Sequence, residues 1–309
     1  MGAFLGKNSI PTLVLIGVGL FGASAEASGP GSAHAPLPFQ IYLRGYHQFQ
    51  FAGYYAAEKE GYYRDAGLQV EIVEGRPNSY EVDFILERPG RFGIGNANLV
   101  AERSAGKPVV ATAAIFQHSP AVLISLEKTG IRKASDLVGK KVGVRETRQM
   151  TNPAYRGMMV AAGISPDRVE WSNLSWRDED LISGKVDAIS GYLTTEVPRL
   201  LRRGISIAVL NPTDYGMDFY GDILFTAEST VRIDPAGTRS FVEASLRGWR
   251  YALDHPDEMV QHILGLPGVA ERGITADLLR TEAAEMRKLI EPELVELGYS
   301  NQWRWDRIF

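Results

Sequence analysis

Residues 109–126, VVATAAIFQHSPAVLISL, contain two apolar runs separated by a polar break. The runs 109–115 and 121–126 have the length and the apolar composition of buried strands, so each run predicts a strand. Gln117-His118-Ser119-Pro120 lies in the break between them. We expect the chain to pass from one folded unit into a second unit directly after this polar break.

Strand-like runs continue on both sides of this stretch and alternate with helical runs. The further strand candidates are residues 40–44, 69–73, 91–94, 141–144, 169–171, 188–191, 205–210 and 222–225. Helical runs such as 51–60 and 152–162 end at Gly61 and Gly163, because glycine readily adopts the left-handed position after a helix. The alternation predicts an α/β fold with parallel sheets and crossover helices.

The chain divides into two predicted lobes around the polar break. Residues 122–212 are predicted to form an α/β unit of their own, lobe 2, whereas residues 39–121 and 213–309 together form lobe 1. The chain then crosses between the lobes twice, which places a cleft between them and a hinge at the crossings. This organisation predicts a protein that closes on a ligand.

Residues 1–27 have the layout of a secretory signal peptide. Lys7 precedes an apolar run from Thr12 to Ala23, and small residues suited to cleavage follow this run. Residues 28–38, SGPGSAHAPLP, predict a disordered lead-in. The chain has 0 cysteines, which excludes disulfides, thiolate metal sites and a lipid-attachment cysteine. We therefore expect an exported protein that diffuses freely in the periplasm.

Composition and motifs exclude several classes of function. The 309 residues carry a formal net charge of −4 without a Lys/Arg block, so no nucleic-acid partner is expected. The sequence has no phosphate-binding loop, no G-x-S-x-G nucleophile motif and no H-E-x-x-H zinc motif. Gly93 and Gly95 lack the third glycine of a dinucleotide fingerprint. We predict no catalytic residue, no metal, no cofactor and no enzymatic activity.

Candidate ligand contacts follow the predicted strands. In open α/β sheets, ligands bind beyond the carboxyl ends of strands, where loops and helix N-termini offer free N–H groups. The candidates are Gln48, Phe49, Asn96, Gln117, His118, Arg145, Tyr192 and Glu196, with Tyr215 beside the second crossing. Structural roles stay open for four of them. Phe49 can staple a helix start, Arg145 can form a salt bridge, Glu196 can stabilise a helix N-terminus, and Tyr215 can belong to a packed hinge loop.

Longer stretches around these residues carry a family resemblance. They are QFQFAGYYAA (48–57), EGYY (60–63), AGL (66–68), QHSP (117–120), and residues 136–141, 184–188, 215–222 and 245–249. In these stretches the chain resembles periplasmic binding proteins of the nitrate/sulfonate/taurine type, and more closely the thiamine-pyrimidine branch of that superfamily. The resemblance implies a bilobal type II binding-protein fold that delivers a small molecule to the membrane subunits of an ABC importer. We expect a monomer.

The resemblance also orders the expected ligands. A pyrimidine precursor of thiamine comes first, and an alkyl sulfonate or similar anion second. The expected roles differ by chemistry. Aromatic rings stack on the ligand, namely those of Phe49 and of Tyr215 or Tyr192. The edge of the ligand is hydrogen-bonded by Gln48, Asn96, Gln117 and Glu196, and Arg145 binds the ligand if it is an anion.

Two departures and two alternatives accompany this hypothesis. The Asn-Glu-Pro pattern usual in the family is Thr195-Glu196-Val197-Pro198 here, which keeps the acid but not the asparagine. Synthases of the superfamily carry a cysteine-rich motif and a lysine/histidine pair, and this chain lacks both features. A thiamine-pyrimidine synthase is nevertheless the enzyme alternative, and the ligand-sensing ectodomain of a signalling protein is the other.

Overall fold

The computed structural model describes residues 38–76, 80–144, 152–173 and 177–307. The predicted signal peptide, all of the lead-in except residue 38, and the candidate Arg145 lie outside these ranges. Within them, no helix combines the length and the apolar character that a membrane-crossing segment requires.

The described residues form ten strands, and each of them was predicted from the sequence. Their bounds are β1 Phe39–Tyr42, β2 Val70–Val73, β3 Arg91–Gly95, β4 Val109–Phe116, β5 Ala121–Leu126, β6 Lys141–Val144, β7 Glu170–Asn173, β8 Ala188–Tyr192, β9 Ile207–Leu210 and β10 Gly221–Ala227. The observed strand ends differ from the predicted ends by at most two residues. The predicted α/β class is confirmed.

Twelve α-helices are described between and after these strands. Their bounds are α1 Ala52–Lys59, α2 Tyr62–Asp65, α3 Glu81–Leu86, α4 Asn98–Ser104, α5 Pro153–Ala161, α6 Glu179–Ile182, α7 Glu196–Arg202, α8 Glu228–Ile233, α9 Pro235–Asp254, α10 Pro256–Leu264, α11 Ala276–Ile290 and α12 Gln302–Asp306. Gly61 and Gly163 have φ angles of 73° and 74°, so both adopt the left-handed conformation predicted for them.

The strands form two separate five-stranded sheets. The first sheet has the order β2-β1-β3-β10-β4, and the second has the order β7-β6-β8-β5-β9. We use lobe 1 and lobe 2 for the parts built on the first and the second sheet. Strands of lobe 1 come from both segments predicted for it, and strands of lobe 2 come from the segment between them. The limits of the lobes at residues 121/122 and 212/213 stay a prediction.

One strand of lobe 1 runs against its neighbours. β10 is antiparallel to both β3 and β4, with Ile223 opposite Gly95 and Gly221 opposite Phe116. The amino end of β10 therefore lies at the same sheet edge as the carboxyl ends of β3 and β4. In lobe 2, β5 is likewise antiparallel to β8 and β9. In each lobe, the amino end of one strand and the carboxyl ends of its neighbours therefore lie at the sheet edge that faces the cleft.

Helices α1 and α9 pack at unusually short range in lobe 1. A Cβ atom on Gly53 would lie 2.2 Å from the Trp249 ring, and a Cβ on Gly248 would lie 2.0 Å from the Gly53 carbonyl oxygen. Only glycine permits this approach, since any side chain would force the helices apart. The Trp249 ring, which α9 contributes to this contact, is fully buried.

The chain crosses between the lobes at residues 117–120 and 211–220, and polar contacts tie these crossings to the C-terminal segment. The backbone N–H groups of Gln117 and His118 donate to the Leu289 carbonyl, and the Gln117 side chain donates to the Tyr299 carbonyl. His118 Nδ1 lies 2.9 Å from an oxygen of Asp218, which belongs to the second crossing. The two crossings are therefore bonded to each other.

Candidate functional site

A cavity of about 40 Å³ lies between the two lobes, at the sheet edges described above. Lobe 1 contributes Arg44, Gln50 and Asn96, and lobe 2 contributes Val144, Asn152, Tyr155, Ser190, Gly191, Tyr192, Thr195 and Glu196. Most of these side chains are polar. A mainly polar, inter-lobe cavity is the kind of site that fixes the orientation of a small ligand through hydrogen bonds.

The lobe 1 wall is a chain of hydrogen-bonded polar groups. Gln50 Nε2 donates to Asp222 Oδ2 over 2.7 Å, and Gln48 Nε2 donates to Gln50 Oε1 over 2.6 Å. Asn96, which follows β3, accepts the Asn98 N–H through its side-chain oxygen. These bonds fix the orientation of the amide groups that face the cavity.

Asp222 lies immediately behind this wall and has two unusual properties. Its φ of 41° lies in the left-handed region, which non-glycine residues adopt rarely and at an energetic cost. Burial raises the pKa of its carboxyl to about 6, although the nearby Arg44 guanidinium opposes the shift. Both properties mark Asp222 as a residue held in place by its surroundings.

The lobe 2 wall is organised around the buried carboxylate of Glu196. The Tyr192 N–H and the Thr195 hydroxyl both donate to Glu196 Oε2, over 2.9 and 2.6 Å. Arg199 Nη2 lies 3.4 Å from Glu196 Oε1, and Arg199 is itself bound by both oxygens of Asp178. The Glu196 carboxylate therefore occupies a fixed position as an acceptor at the cavity surface.

Three contacts join the lobes around the cavity. The Tyr192 hydroxyl of lobe 2 donates to Asp222 Oδ1 of lobe 1 over 3.3 Å. The Arg44 guanidinium carbon lies 5.9 Å from the centre of the Tyr192 ring. Further out, Arg202 on α7 binds Asp277 and Thr281 on α11. The structure is therefore that of a closed cleft.

A wider groove of about 1,010 Å³ opens beside the cavity, and Glu196 lines both spaces. Its lining includes Tyr46, Gln48 and Arg272 from lobe 1 and several arginines from lobe 2. Arg272 stacks 4.1 Å from the centre of the Tyr46 ring and pairs with Glu74. We interpret this groove as the mouth of the cleft.

The structure brings together three of the predicted ligand contacts and places a fourth at the mouth. Asn96, Tyr192 and Glu196 line the cavity, and Gln48 lines the groove. These four positions stay predictions as ligand contacts. Arg145 lies outside the described residues.

The structure places the other described candidates outside the lining of the cavity, where they make structural contacts, and their roles as ligand contacts stay predictions. Phe49 has no exposed surface and belongs to the lobe 1 core, so its ring has no face open to a ligand. Gln117 and His118 bond within the hinge, as described above. Tyr215 packs against the lobe 2 core, and its hydroxyl accepts the Ala134 N–H.

Several cavity residues were not identified from the sequence: Arg44, Gln50, Asn152, Tyr155, Ser190 and Asp222. Arg44 and Gln50 lie close to Gln48, and the same strand-end argument would have included them. Asn152 and Tyr155 form the start of α5, where Asn152 caps the helix. Asp222 carried no such signal, because it is the second residue of the antiparallel strand β10 and does not follow a parallel strand.

The described residues contain no group of His, Cys, Asp and Glu side chains arranged to hold a metal ion. The cavity instead offers one carboxyl group, three amides, several hydroxyls and one guanidinium, and the Asp222 carboxyl lies behind its lobe 1 wall. This arrangement suits the binding of a small polar molecule by hydrogen bonds.

Comparisons with known proteins point to the same fold. The alkanesulfonate-binding protein SsuA from Xanthomonas axonopodis pv. citri, in complex with MOPS, superimposes with a TM-score of 0.61 at 13% identity, covering 82% of this chain and 86% of that chain. The chain therefore has the two-lobed α/β fold of periplasmic binding proteins, as the resemblance implied.

Two sequence relatives extend over most of the chain. A formylaminopyrimidine-binding protein from Halalkalibacterium halodurans is 26% identical over 251 residues, which cover 79% of this chain and 75% of the relative. The riboflavin-binding protein RibY from Chloroflexus aurantiacus is 25% identical over 299 residues, which cover 92% of this chain and 83% of the relative.

The model of one protein family, described as NMT1/THI5 like, matches residues 48–259. The matched segment starts at the cleft residue Gln48, includes both crossings and all of lobe 2, and ends in α10. Because this match spans both walls of the cavity and more than half of the sequence, the chain belongs to the NMT1/THI5 like family.

Proposed function

We propose that this chain is the solute-binding protein of an ABC-type importer and captures a pyrimidine-type nutrient in the cavity between its lobes. The observation that carries the proposal is the buried Glu196 carboxylate at the surface of one small polar cavity, with the buried Asp222 carboxyl immediately behind the opposite wall. The importer subunits, the periplasmic location and the monomeric state are parts of the same proposal.

The charge of the cavity favours a heterocycle with N–H groups over an anion. Glu196 presents an acceptor that three donors already hold in place, so a ligand N–H can complete its hydrogen bonds. An alkyl sulfonate would meet the Glu196 carboxylate at the cavity surface, and like charges at short range are repulsive, whereas the lining supplies a single guanidinium, that of Arg44. An alkyl sulfonate is therefore the second ligand class.

The other lining groups complete the expected contacts. The Tyr192 ring supplies a flat surface on which an aromatic heterocycle can stack. Asn96 and Gln50 supply amides with fixed orientation for the edge of the ring. The names of the two relatives, a formylaminopyrimidine-binding and a riboflavin-binding protein, support a nitrogen heterocycle.

The size of the cavity requires that the lobes move. A cavity of roughly 150 Å³ accommodates benzene, whereas the space between the lobes is about 40 Å³. A substituted pyrimidine can enter only when the cleft opens at its mouth. The proposed function therefore includes a hinge motion at the bonded crossings.

A thermal-shift experiment tests this proposal. We expect formylaminopyrimidine to raise the melting temperature, because a ligand at 100 times its dissociation constant adds about 2.7 kcal/mol to the free energy of unfolding. Glu196→Gln should reduce this shift, whereas Glu127→Gln, a change on the exposed far side of lobe 2, should not. A shift with MOPS or taurine alone would favour the sulfonate class, and no shift with any of these compounds or with riboflavin would contradict the proposal.

A further inference from the structure

Two carboxyl groups of lobe 1 are buried close to elements of lobe 2. Asp222 is 1% exposed and accepts the Tyr192 hydroxyl from lobe 2. Glu282, on α11, is 2% exposed and accepts the Phe49 N–H over 2.9 Å. Helix α7 of lobe 2 packs against α11, and the charges of Arg199 and Glu196 on α7 act on the Glu282 carboxyl.

We propose that cleft closure takes up protons at Glu282 and Asp222, so that the closed form is favoured as the pH falls. The geometry that supports this proposal is the position of both carboxyls at the interface between the lobes. Opening the cleft withdraws Tyr192 from Asp222 and α7 from Glu282, and water then solvates both groups. The proposal shares with the proposed function only the assumption that the cleft opens and closes.

The surroundings of Glu282 favour its protonated form in the closed cleft. Burial raises the pKa of its carboxyl to about 8, and the Glu196 carboxylate adds to the rise. The Phe49 N–H and the Arg199 guanidinium act in the opposite direction but do not cancel it. Tyr55, on α1, is the other titratable group that faces Glu282.

The remaining elements packed on α11 leave this balance unchanged. β4, VVATAAIF, carries no titratable side chain. α10 presents Asp257, which pairs with the exposed Arg280. Arg280 lies two residues before Glu282 and therefore on the opposite face of α11.

Asp222 is surrounded by fewer charges. The groups that face it are the Arg44 guanidinium, the Tyr192 hydroxyl, the Gln50 amide and the Tyr54 hydroxyl on α1. Burial raises the pKa of this carboxyl to about 6, against the opposing effects of Arg44 and of the two hydrogen-bond donors Gln50 and Tyr192. In the open cleft, with water in place of Tyr192, we expect the pKa to return towards the ordinary value of about 3.9.

The sign of the effect follows from these directions. A carboxyl whose pKa is raised by closure binds its proton more tightly in the closed form, so a falling pH shifts the equilibrium towards closure. The response spans the range from about pH 4, the ordinary carboxyl value, to the raised value of about 8 at Glu282. Uptake of one proton changes the closed-to-open ratio by up to about tenfold per pH unit.

Distance measurements between labels on the two lobes test the proposal without any ligand. The chain has 0 cysteines, so Leu201→Cys on lobe 2 and Ile233→Cys on lobe 1 create the only labelling sites, and both positions are more than half exposed. We expect the closed fraction, read by pulsed electron spin resonance, to rise severalfold or more as the pH falls from 8.5 to 5.5.

Substitutions assign this response to the two carboxyls. Glu282→Gln keeps an oxygen that can accept the Phe49 N–H, and it should flatten the response between pH 8 and 6. Asp222→Asn should remove the pH dependence of the closed fraction below pH 6.5. Glu285→Gln, on the same helix but paired with Lys288, should retain the full response.

The proposal is overturned if the wild-type closed fraction does not change with pH, or if the double variant Asp222→Asn/Glu282→Gln responds as the wild type does. If a variant fails to fold, carboxyl ¹³C resonances of the wild-type protein serve instead, and titration of every Asp and Glu below pH 5 would contradict the proposal. A pH response without binding of formylaminopyrimidine would contradict the proposed function and leave this proposal standing.

Discussion

Lobe 1 and lobe 2 differ in how their cores are built and in what they bring to the cavity. The largest fully buried side chains are Trp249, Trp305, Tyr54, Tyr55, Tyr220, Phe39, Phe49, Phe51, Phe92, Phe116, Phe225 and Phe241, and every one belongs to lobe 1. The core of lobe 2 consists mainly of aliphatic and methionine side chains, with Tyr155 as its buried aromatic residue.

The walls of the cavity show the same contrast. Lobe 1 supplies Arg44 and the buried Asp222 next to a large aromatic core, whereas lobe 2 supplies hydroxyls and the Glu196 carboxylate from the ends of β8 and the start of α7. This difference suggests a division of work. Lobe 1, which we call the platform, has a polar floor on a large aromatic core, and lobe 2, which we call the lid, carries the groups that complete the site.

The largest expected effect concerns the stability that the aromatic core gives to lobe 1. Trp249→Ala removes a fully buried ring from the α1–α9 contact and should lower the free energy of unfolding by about 3–5 kcal/mol. The matched change in lobe 2, Leu181→Ala, should cost about 2–5 kcal/mol, towards the lower end. Urea unfolding followed by circular dichroism measures both values. A loss of less than about 2 kcal/mol for Trp249→Ala would contradict the contrast.

A second prediction concerns the carboxylate that the lid supplies. Glu196→Gln replaces an ionised acceptor by a neutral amide, and hydrogen bonds to charged groups contribute about 1.5–3 kcal/mol. We expect the affinity for formylaminopyrimidine to fall by roughly tenfold to a hundredfold, as measured by isothermal titration calorimetry. An unchanged affinity in Glu196→Gln would mean that the Glu196 carboxylate does not contact the ligand.

Two cavity tyrosines of lobe 2 separate closure from stability. The Tyr192 hydroxyl bonds across the lobes to Asp222, whereas the Tyr155 hydroxyl bonds within lobe 2 to the Val122 carbonyl. Tyr192→Phe should therefore lower the closed-to-open ratio by a factor of about 5, equivalent to about 1 kcal/mol. Tyr155→Phe should lower the free energy of unfolding by about 1 kcal/mol instead. The label distances described above measure closure, and urea unfolding measures stability. The comparison fails if Tyr155→Phe changes closure and Tyr192→Phe changes only the free energy of unfolding.

The smallest expected effect concerns the outer contact between the lobes. Arg202 binds Asp277 and Thr281, but its side chain is 38% exposed and that of Asp277 is 76% exposed. Ion pairs in such positions contribute about 0–1 kcal/mol. Arg202→Ala should shift the closed fraction by no more than a factor of about 5, and 1 M salt should reduce the difference from wild type. A larger shift would mean that this outer contact, and not the contacts at the cavity, controls closure.

The sequence was sufficient to predict the fold because the strands are short, apolar and bounded by turn residues. All ten strands and the left-handed glycines Gly61 and Gly163 were identified from local pattern alone. The two-lobed arrangement was predicted mainly from the family resemblance, and in the structure the polar break at residues 117–120 separates β4 of the first sheet from β5 of the second.

The site was predicted only in part, for a physical reason. The rule that ligands lie beyond the carboxyl ends of strands found Asn96 and Tyr192, but it assumes that the strands run parallel. β10 runs antiparallel, so its first residues lie at the ligand edge and Asp222 was missed. Phe49 was assigned to the ligand although its ring is buried, because local sequence does not reveal which face of a short turn meets the core.

The central claim is that the two lobes close around a pyrimidine-type ligand and return it unchanged. Small-angle X-ray scattering during titration with formylaminopyrimidine, followed by mass analysis of the released compound, tests this claim most directly. We expect a saturable decrease in the radius of gyration and recovery of the ligand with its original mass. Absence of binding, binding without contraction, or recovery of a converted product would contradict the account.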